Sequence, residues 1–181
     1  MRTLDAWKKH GEGVLLICGP KGSGKSHLLR IIETETAGGS PATHCRDDVS
    51  HDFAPAELLI AIESAREKGE RLVLAGAGDP AEWAGGLRDL ETRLGAAPRI
   101  TLVDPDEALL KAVLTKQFRD RQLRASEAII DYAAPRLPKT FAAVRAFAAA
   151  LDALSIEKGE AIGLKLAREV VNNLSEEAFE A

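Results

Sequence analysis

The chain has 181 residues, of which 45% are apolar and 29% charged, the balance of an ordinary globular domain rather than a disordered segment. Lys and Arg total 24 against 28 Asp and Glu, a formal charge of -4, so no overall positive field exists to hold a nucleic-acid backbone. Cys18 and Cys45 are the only cysteines, too few for a disulfide framework, and no apolar run is long enough to span a bilayer. These features predict a soluble, cytoplasmic protein with no membrane partner.

The first half of the chain alternates strand and helix patterns. Val14-Leu15-Leu16-Ile17-Cys18 is a short continuous apolar run bounded by glycines, as expected of a strand buried on both faces. Leu28, Leu29, Ile31 and Ile32 follow with helical character, and Gly38-Gly39-Ser40-Pro41 ends that segment. Residues 56–68 predict a second helix, with Leu58, Leu59 and Ile62 on one face. Arg71 to Ala75 and Arg99 to Val103 predict two more strands. Such alternation implies an α/β fold with a parallel sheet and helices on both faces.

After Asp104-Pro105 the pattern becomes wholly helical, with helices expected over 107–122, 126–134, 140–155 and 160–174. In the Ala-rich third of these, Phe141, Val144, Phe147, Leu151 and Leu154 fall at helical spacing and predict a packed face. The expected organisation is a core over 1–103 and a helical subdomain over 104–181.

Between the first strand and first helix, Gly19-Pro20-Lys21-Gly22-Ser23-Gly24-Lys25-Ser26 matches the phosphate-binding pattern G-x-x-x-x-G-K-[ST] in full. Glycines let backbone N–H groups turn inward around a phosphate. Lys25 is placed to reach the β- and γ-phosphates of ATP or ADP, and the Ser26 hydroxyl to hold Mg²⁺. The helix that carries Lys25, Ser26 and His27 directs its positive dipole end at the anion. These eight residues and His27 are the candidate nucleotide contacts.

Hydrolysis needs more than a cradle. An acidic residue at the end of a neighbouring strand holds Mg²⁺ and polarises water. Asp47-Asp48 is the acidic pair in a suitable place, with Asp48 the candidate metal ligand. The preceding residues, Thr43-His44-Cys45-Arg46, are mostly polar, so the strand is expected to be short, at an edge, or missing. Too few residues separate Lys25 from Asp48 for another strand-and-helix unit, which predicts a reduced sheet. After Ala75, Gly76-Ala77-Gly78 offers no polar side chain before Asp79 to orient water. His44, Cys45, Asp47, Asp48 and His51 are also metal-ligand types in close order. Their spacing matches no zinc pattern, and a polar loop is the favoured reading.

Further along, Asp79-Pro80-Ala81-Glu82-Trp83, Leu87-Arg88-Asp89-Leu90-Glu91-Thr92-Arg93-Leu94 and Val103-Asp104-Pro105-Asp106 resemble the AAA+ module of the DnaA/Hda family of bacterial replication proteins. The resemblance runs from about Trp7 to Val171. It implies an AAA+ core followed by a C-terminal all-helical lid. By position, Arg93 matches the arginine finger that reaches a neighbouring subunit's nucleotide, where a guanidinium stabilises charge on the transferring phosphoryl group. The plain alternative is a surface ion pair with Glu91 or Asp89. Lys139 falls where the family has a nucleotide-sensing arginine, keeping the charge but losing the bidentate fork.

The implied function is that of a nucleotide-binding regulator with a DnaA-like AAA+ partner, weak or silent as an ATPase by itself, and with homo-oligomers in scope. No sliding-clamp peptide is recognised in Met1 to Gly13, and no DNA-binding helix-turn-helix is expected after the lid. Two other readings stand beside it: a P-loop kinase of small molecules, and a non-hydrolysing interaction module of the helicase-loader kind. Lys116, Arg119, Arg121 and Arg124 are expected to be a solvated helix face, and Trp7 and Trp83 to pack in the core or its rim rather than stack on an adenine.

Overall fold

The computed structural model describes residues 2–10 and 13–177. It divides into two compact units, Met1–Val103 and Asp104–Ala181.

The first unit is built on a parallel sheet of four strands, β1 (Gly13–Cys18), β2 (Thr43–Arg46), β3 (Arg71–Gly76) and β4 (Arg99–Thr101), in the order β2-β3-β1-β4. β1 pairs with β3 from Gly13↔Arg71 to Cys18↔Gly76, and with β4 from Leu16↔Arg99 to Cys18↔Thr101. Because successive strand side chains face opposite sides, the apolar runs feed two separate cores. Leu16, Cys18, Leu72 and Leu74 face one side, where they join Val49, Leu58, Ile62, Trp83, Leu90 and Leu94. Leu15, Ile17, Val73 and Ala75 face the other, against Leu4, Trp7, Leu29 and Ile32.

Helices α1 (Arg2–His10) and α2 (Lys25–Thr36) supply the second of these cores. Helix α1 was not foreseen from the sequence pattern. Its Leu4 and Trp7 lie one turn apart and both are buried, and the Arg71 guanidinium lies 5.5 Å from the Trp7 ring. Trp7 is therefore a core residue. The opposite face is covered by α3 (Val49–Asp52), α4 (Pro55–Glu67), α5 (Pro80–Trp83) and α6 (Arg88–Ala96). Pro55 opens α4, and the Glu57 carboxylate accepts the Ala54 N–H at 3.1 Å.

β2 is the short edge strand that its polar composition predicts, paired with β3 from Thr43↔Arg71 to Arg46↔Leu74. The reduced parallel sheet with helices on both faces is thus the observed architecture.

The second unit consists of α7 (Glu107–Asp120), α8 (Glu127–Ala133), α9 (Phe141–Lys158) and α10 (Leu164–Glu177). Asp106 caps α7, its carboxylate accepting the Leu109 N–H at 2.7 Å, and Thr140 caps α9 through Ala143 N–H at 3.1 Å. Leu110, Leu114, Phe118, Ile129, Val144, Phe147, Leu151, Leu166 and Val170 form one core. The last helix starts later than the residue 160 expected from its pattern. Gly159 turns left-handed at φ 61° to end α9, Ser155 Oγ donates to the Glu160 carbonyl, and regular helical bonding resumes only with Ala167 N–H to Gly163 O.

Lys116 and Arg119 are exposed on α7, Lys116 bonding Asp120 at 2.6 Å. Arg121 is instead the half-buried C-cap residue bonded to the Gln117 side chain, and Arg124 lies beyond the helix, so the expected basic helix face holds only in part. Among the described residues, no helix is long and apolar enough to cross a membrane.

Candidate phosphate-binding site

The loop after β1 lies at the carboxyl edge of the sheet, where the chain changes direction. From β1 it runs to the far edge at β2, returns through β3 beside β1, then crosses to β4 on the other side of β1. Open α/β sheets bind ligands at such a switch point. The loop packs against the residues following β4: a methyl group added at Gly19 would lie 2.6 Å from Leu102 O and 2.8 Å from Ser23 Oγ. Gly22 and Gly24 adopt φ of 85° and 97°, which a side chain would oppose. Gly24 is the N-cap of α2, so that helix begins at Lys25 with its free N–H groups facing the loop.

Lys25 Nζ donates to the carbonyls of Gly19 and Pro20, each at 2.9 Å. The ammonium is thereby held across the loop on neutral acceptors that an anion would outcompete. Ser23 is buried, and its hydroxyl lacks a hydrogen-bond partner. A buried orphan hydroxyl within this loop fits a phosphate oxygen as its missing partner. Pro20, Lys21, Ser26 and His27 are exposed around the same loop. The residues present therefore fit a nucleotide's phosphates, with Ser26 accessible for Mg²⁺.

The acidic side of the site is different in character. Asp48 follows β2, two strand spacings from β1, and sits in the left-handed region at φ 48° as the residue before α3. Asp47 is occupied locally, its carboxylate accepting the Asp48 N–H at 3.0 Å. Asp48 Oδ1 receives the Ser50 hydroxyl at 3.4 Å, and Ser50 Oγ accepts the Ala77 N–H at 3.1 Å. A polar side chain thus reaches the tip of β3 from α3. The contiguous sequence of β3 gave no sign of it, because Ser50 and Ala77 are 27 residues apart.

Asp79 caps α5, accepting the Ala81 N–H at 3.0 Å. Trp83 is buried, and its indole N–H donates to Ala77 O at 2.6 Å, so it braces the β3 tip. Ser50, His51, Ala77, Gly78, Glu82 and Trp83 line an open recess of about 210 Å³. His44 pairs with Glu70 at 3.0 Å, and no group of three or more His, Cys, Asp or Glu among the described residues is arranged to hold a metal. Cys18 ends β1 directly before the loop. Burial pushes its thiol up from 9.0, and Asp79 adds to the rise, while Arg99 and Lys25 oppose it.

Arg93 lies in the last turn of α6 with its side chain partly exposed, at 24%. Its Nε and Nη2 meet Asp89 Oδ1 and Oδ2 at 3.2 and 3.1 Å, and Nη2 also meets Glu63 Oε1 on α4 at 3.1 Å. The hydrogen bond to Asp89 raises the guanidinium pKa further above its ordinary value, with Glu63 adding to the rise. Glu63 is thirty residues from Arg93 and was not among the partners anticipated. Lys139 belongs to the second unit, where it is exposed just before the N-cap of α9.

No protein-family model and no curated protein matches this chain. Solved structures do. Domain III of the Thermotoga maritima replication initiation protein DnaA aligns at TM-score 0.78 and 17% identity, over 95% of this chain and 89% of that one. The Thermotoga maritima RuvB Holliday junction branch migration motor aligns at TM-score 0.71 and 19% identity, over 96% of this chain and 66% of that one. The replication initiator DnaA bound to AMPPCP and single-stranded DNA aligns at TM-score 0.69 and 14% identity, over 83% of this chain and 59% of that one. At these identities the likeness concerns the path of the chain: the protein has the AAA+ fold of DnaA domain III.

Proposed function

We propose that this chain is a nucleotide-binding AAA+ regulator of replication initiation that acts in the cytoplasm on a DnaA-like partner, in the manner of Hda. The observation that carries the reading is the contrast within the site. The phosphate cradle is complete, with Lys25 across its mouth and Ser23 buried inside it. The acidic side rests on a four-residue edge strand, with Asp47 bonded to its own neighbour.

In this reading the loop N–H groups, Ser23 and Lys25 bind and orient the phosphates of ATP or ADP, and Ser26 holds Mg²⁺. When bound, Mg²⁺ neutralises phosphate charge. Retention of nucleotide is favoured over turnover, because the groups that would activate water are few. The likeness to a DnaA structure bound to AMPPCP supports a nucleotide ligand, and the likeness to DnaA domain III supports a DnaA-like partner or a second copy of this chain. Arg93 would act in trans, placing its guanidinium against the partner's nucleotide. By its match to the family's nucleotide-sensing arginine, Lys139 would act as a sensor of nucleotide charge.

The test has two arms. The purified protein is expected to retain or bind ADP, and Lys25→Ala to weaken fluorescent-ADP binding at least about tenfold, given the strength of charge-assisted phosphate contacts. Phosphate release from ATP-loaded DnaA of the same organism is then measured with and without this chain. Stimulation that disappears with Arg93→Ala supports the regulator; rapid Mg²⁺-dependent turnover by this chain alone overturns it. One observation favours a second reading, an interaction module without stimulated hydrolysis: Arg93 is already engaged by Asp89 and Glu63. Stable association with DnaA and no effect of Arg93→Ala would select it.

A further inference from the structure

We infer that Glu63 and Asp89 form an anionic latch that holds Arg93 folded onto its own protein and regulates its delivery to a partner's nucleotide. This inference rests on the reading of Arg93 as an arginine finger.

A guanidinium has five N–H donors in a fixed plane. Asp89 takes a fork from Nε and Nη2, and Glu63 takes a further bond from Nη2, so Nη1 is the nitrogen left for another acceptor. The two carboxylates come from different helices. Asp89 is one turn before Arg93 on α6, whereas Glu63 reaches across from α4. Packing of α4 on α6, through buried Leu58, Ile62, Leu90 and Leu94, fixes that crossing. Both carboxylates are about half exposed, at 47% and 59%. Such contacts are strong enough to order a side chain and weak enough to yield.

What opens the latch follows from the same chemistry. A phosphate presents the paired oxygens that a carboxylate does, with more charge, and satisfies the same fork. A nucleoside triphosphate brought to this face competes directly for Arg93. A nucleoside diphosphate competes less well, having lost one phosphate group. The latch thus keeps the finger folded back until a partner presents a charge-rich nucleotide. It also protects Arg93 from weaker anions in solution.

The test uses the full chain and three charge-neutralising variants, Glu63→Gln, Asp89→Asn and Glu91→Gln. Glu91 lies on the same helix and is exposed, but is not among the hydrogen-bond partners of Arg93. It therefore controls for a general change of field. In the free protein, NMR measures exchange of the Arg93 Nε–H with water. Asp89→Asn is expected to quicken it by about two- to fivefold, the range of exposed ion pairs. Glu63→Gln should quicken it less, because Glu63 holds Nη2, and Glu91→Gln should leave it unchanged. With ATP-loaded DnaA, both latch variants are expected to raise phosphate release by a similar factor.

An equal gain from Glu91→Gln, or no gain from Glu63→Gln while Arg93→Ala still abolishes stimulation, overturns the latch and leaves the finger standing. If Arg93→Ala has no effect on phosphate release, the finger fails and the regulatory role falls with it. Quickened Nε–H exchange would then report an ordinary surface ion-pair network.

Discussion

Gly19 and Leu102 approach so closely that a single methyl group on Gly19 would lie 2.6 Å from the Leu102 carbonyl oxygen. The contact ties the start of the phosphate loop to the chain leaving β4, and it is made by backbone, which cannot swing aside as a side chain can. Gly19→Ala is expected to displace the loop, costing about 1–3 kcal/mol by overpacking and weakening ADP binding at least about tenfold. Urea unfolding and a fluorescent-nucleotide titration measure the two effects. Unchanged affinity would show that the loop tolerates the shift.

Ser50→Ala removes the acceptor of the Ala77 N–H and the donor to Asp48. A loss of about 1–2 kcal/mol in stability is expected from the unsatisfied backbone group. Ser50→Thr, which keeps the hydroxyl, is expected to retain most of that stability. Chemical denaturation of both variants distinguishes the hydrogen bond from simple packing.

Burial pushes the Cys45 thiol from 9.0 up to about 11, with Glu33 adding to the rise. Its folded form therefore keeps a proton that the unfolded chain releases. The associated stability is fully present below pH 9 and is lost as the pH rises through about 11. Cys45→Ala should flatten the decline in stability between these values. At pH 8, labelling of native Cys45 by iodoacetamide should be slow and should quicken with pH, because the thiolate is the nucleophile. Rapid labelling at pH 7 would contradict the burial argument.

Phe147 is fully buried in the second unit, its ring centroid 6.4 Å from that of Phe118. Phe147→Ala is expected to cost about 3–5 kcal/mol, the range for deleting a core aromatic. Phe147→Leu, which retains most of the volume, should cost less. Circular dichroism during urea unfolding measures both.

Much of the framework was legible because it depends on residues close together in the chain. The runs at 14–18 and 71–75 read as strands buried on both faces, and each feeds two cores. The polar stretch Thr43 to Arg46 read as a strand that is short, at an edge, or missing, and it is present, short and at the edge. Helix α1 was missed because only Leu4 and Trp7 mark its buried face. The start of α10 was placed too early because the pattern did not show that Gly159 and the Ser155–Glu160 bond hold the chain out of helix.

The sequence by itself marked Gly19 to Ser26 as the candidate phosphate loop, since eight consecutive residues carry the whole pattern, and their glycines need no distant partner to turn. It also determined the alternation of strands and helices and the change to an all-helical tail near residue 104. Only the tertiary structure decided which strands are neighbours, that Leu102 closes on Gly19, that Ser50 reaches Ala77, and that Glu63 joins Asp89 around Arg93. The physical reason is range. Backbone conformation and helical or strand period are written in neighbouring residues, whereas a carboxylate thirty positions away meets a guanidinium only after two helices have packed on one sheet.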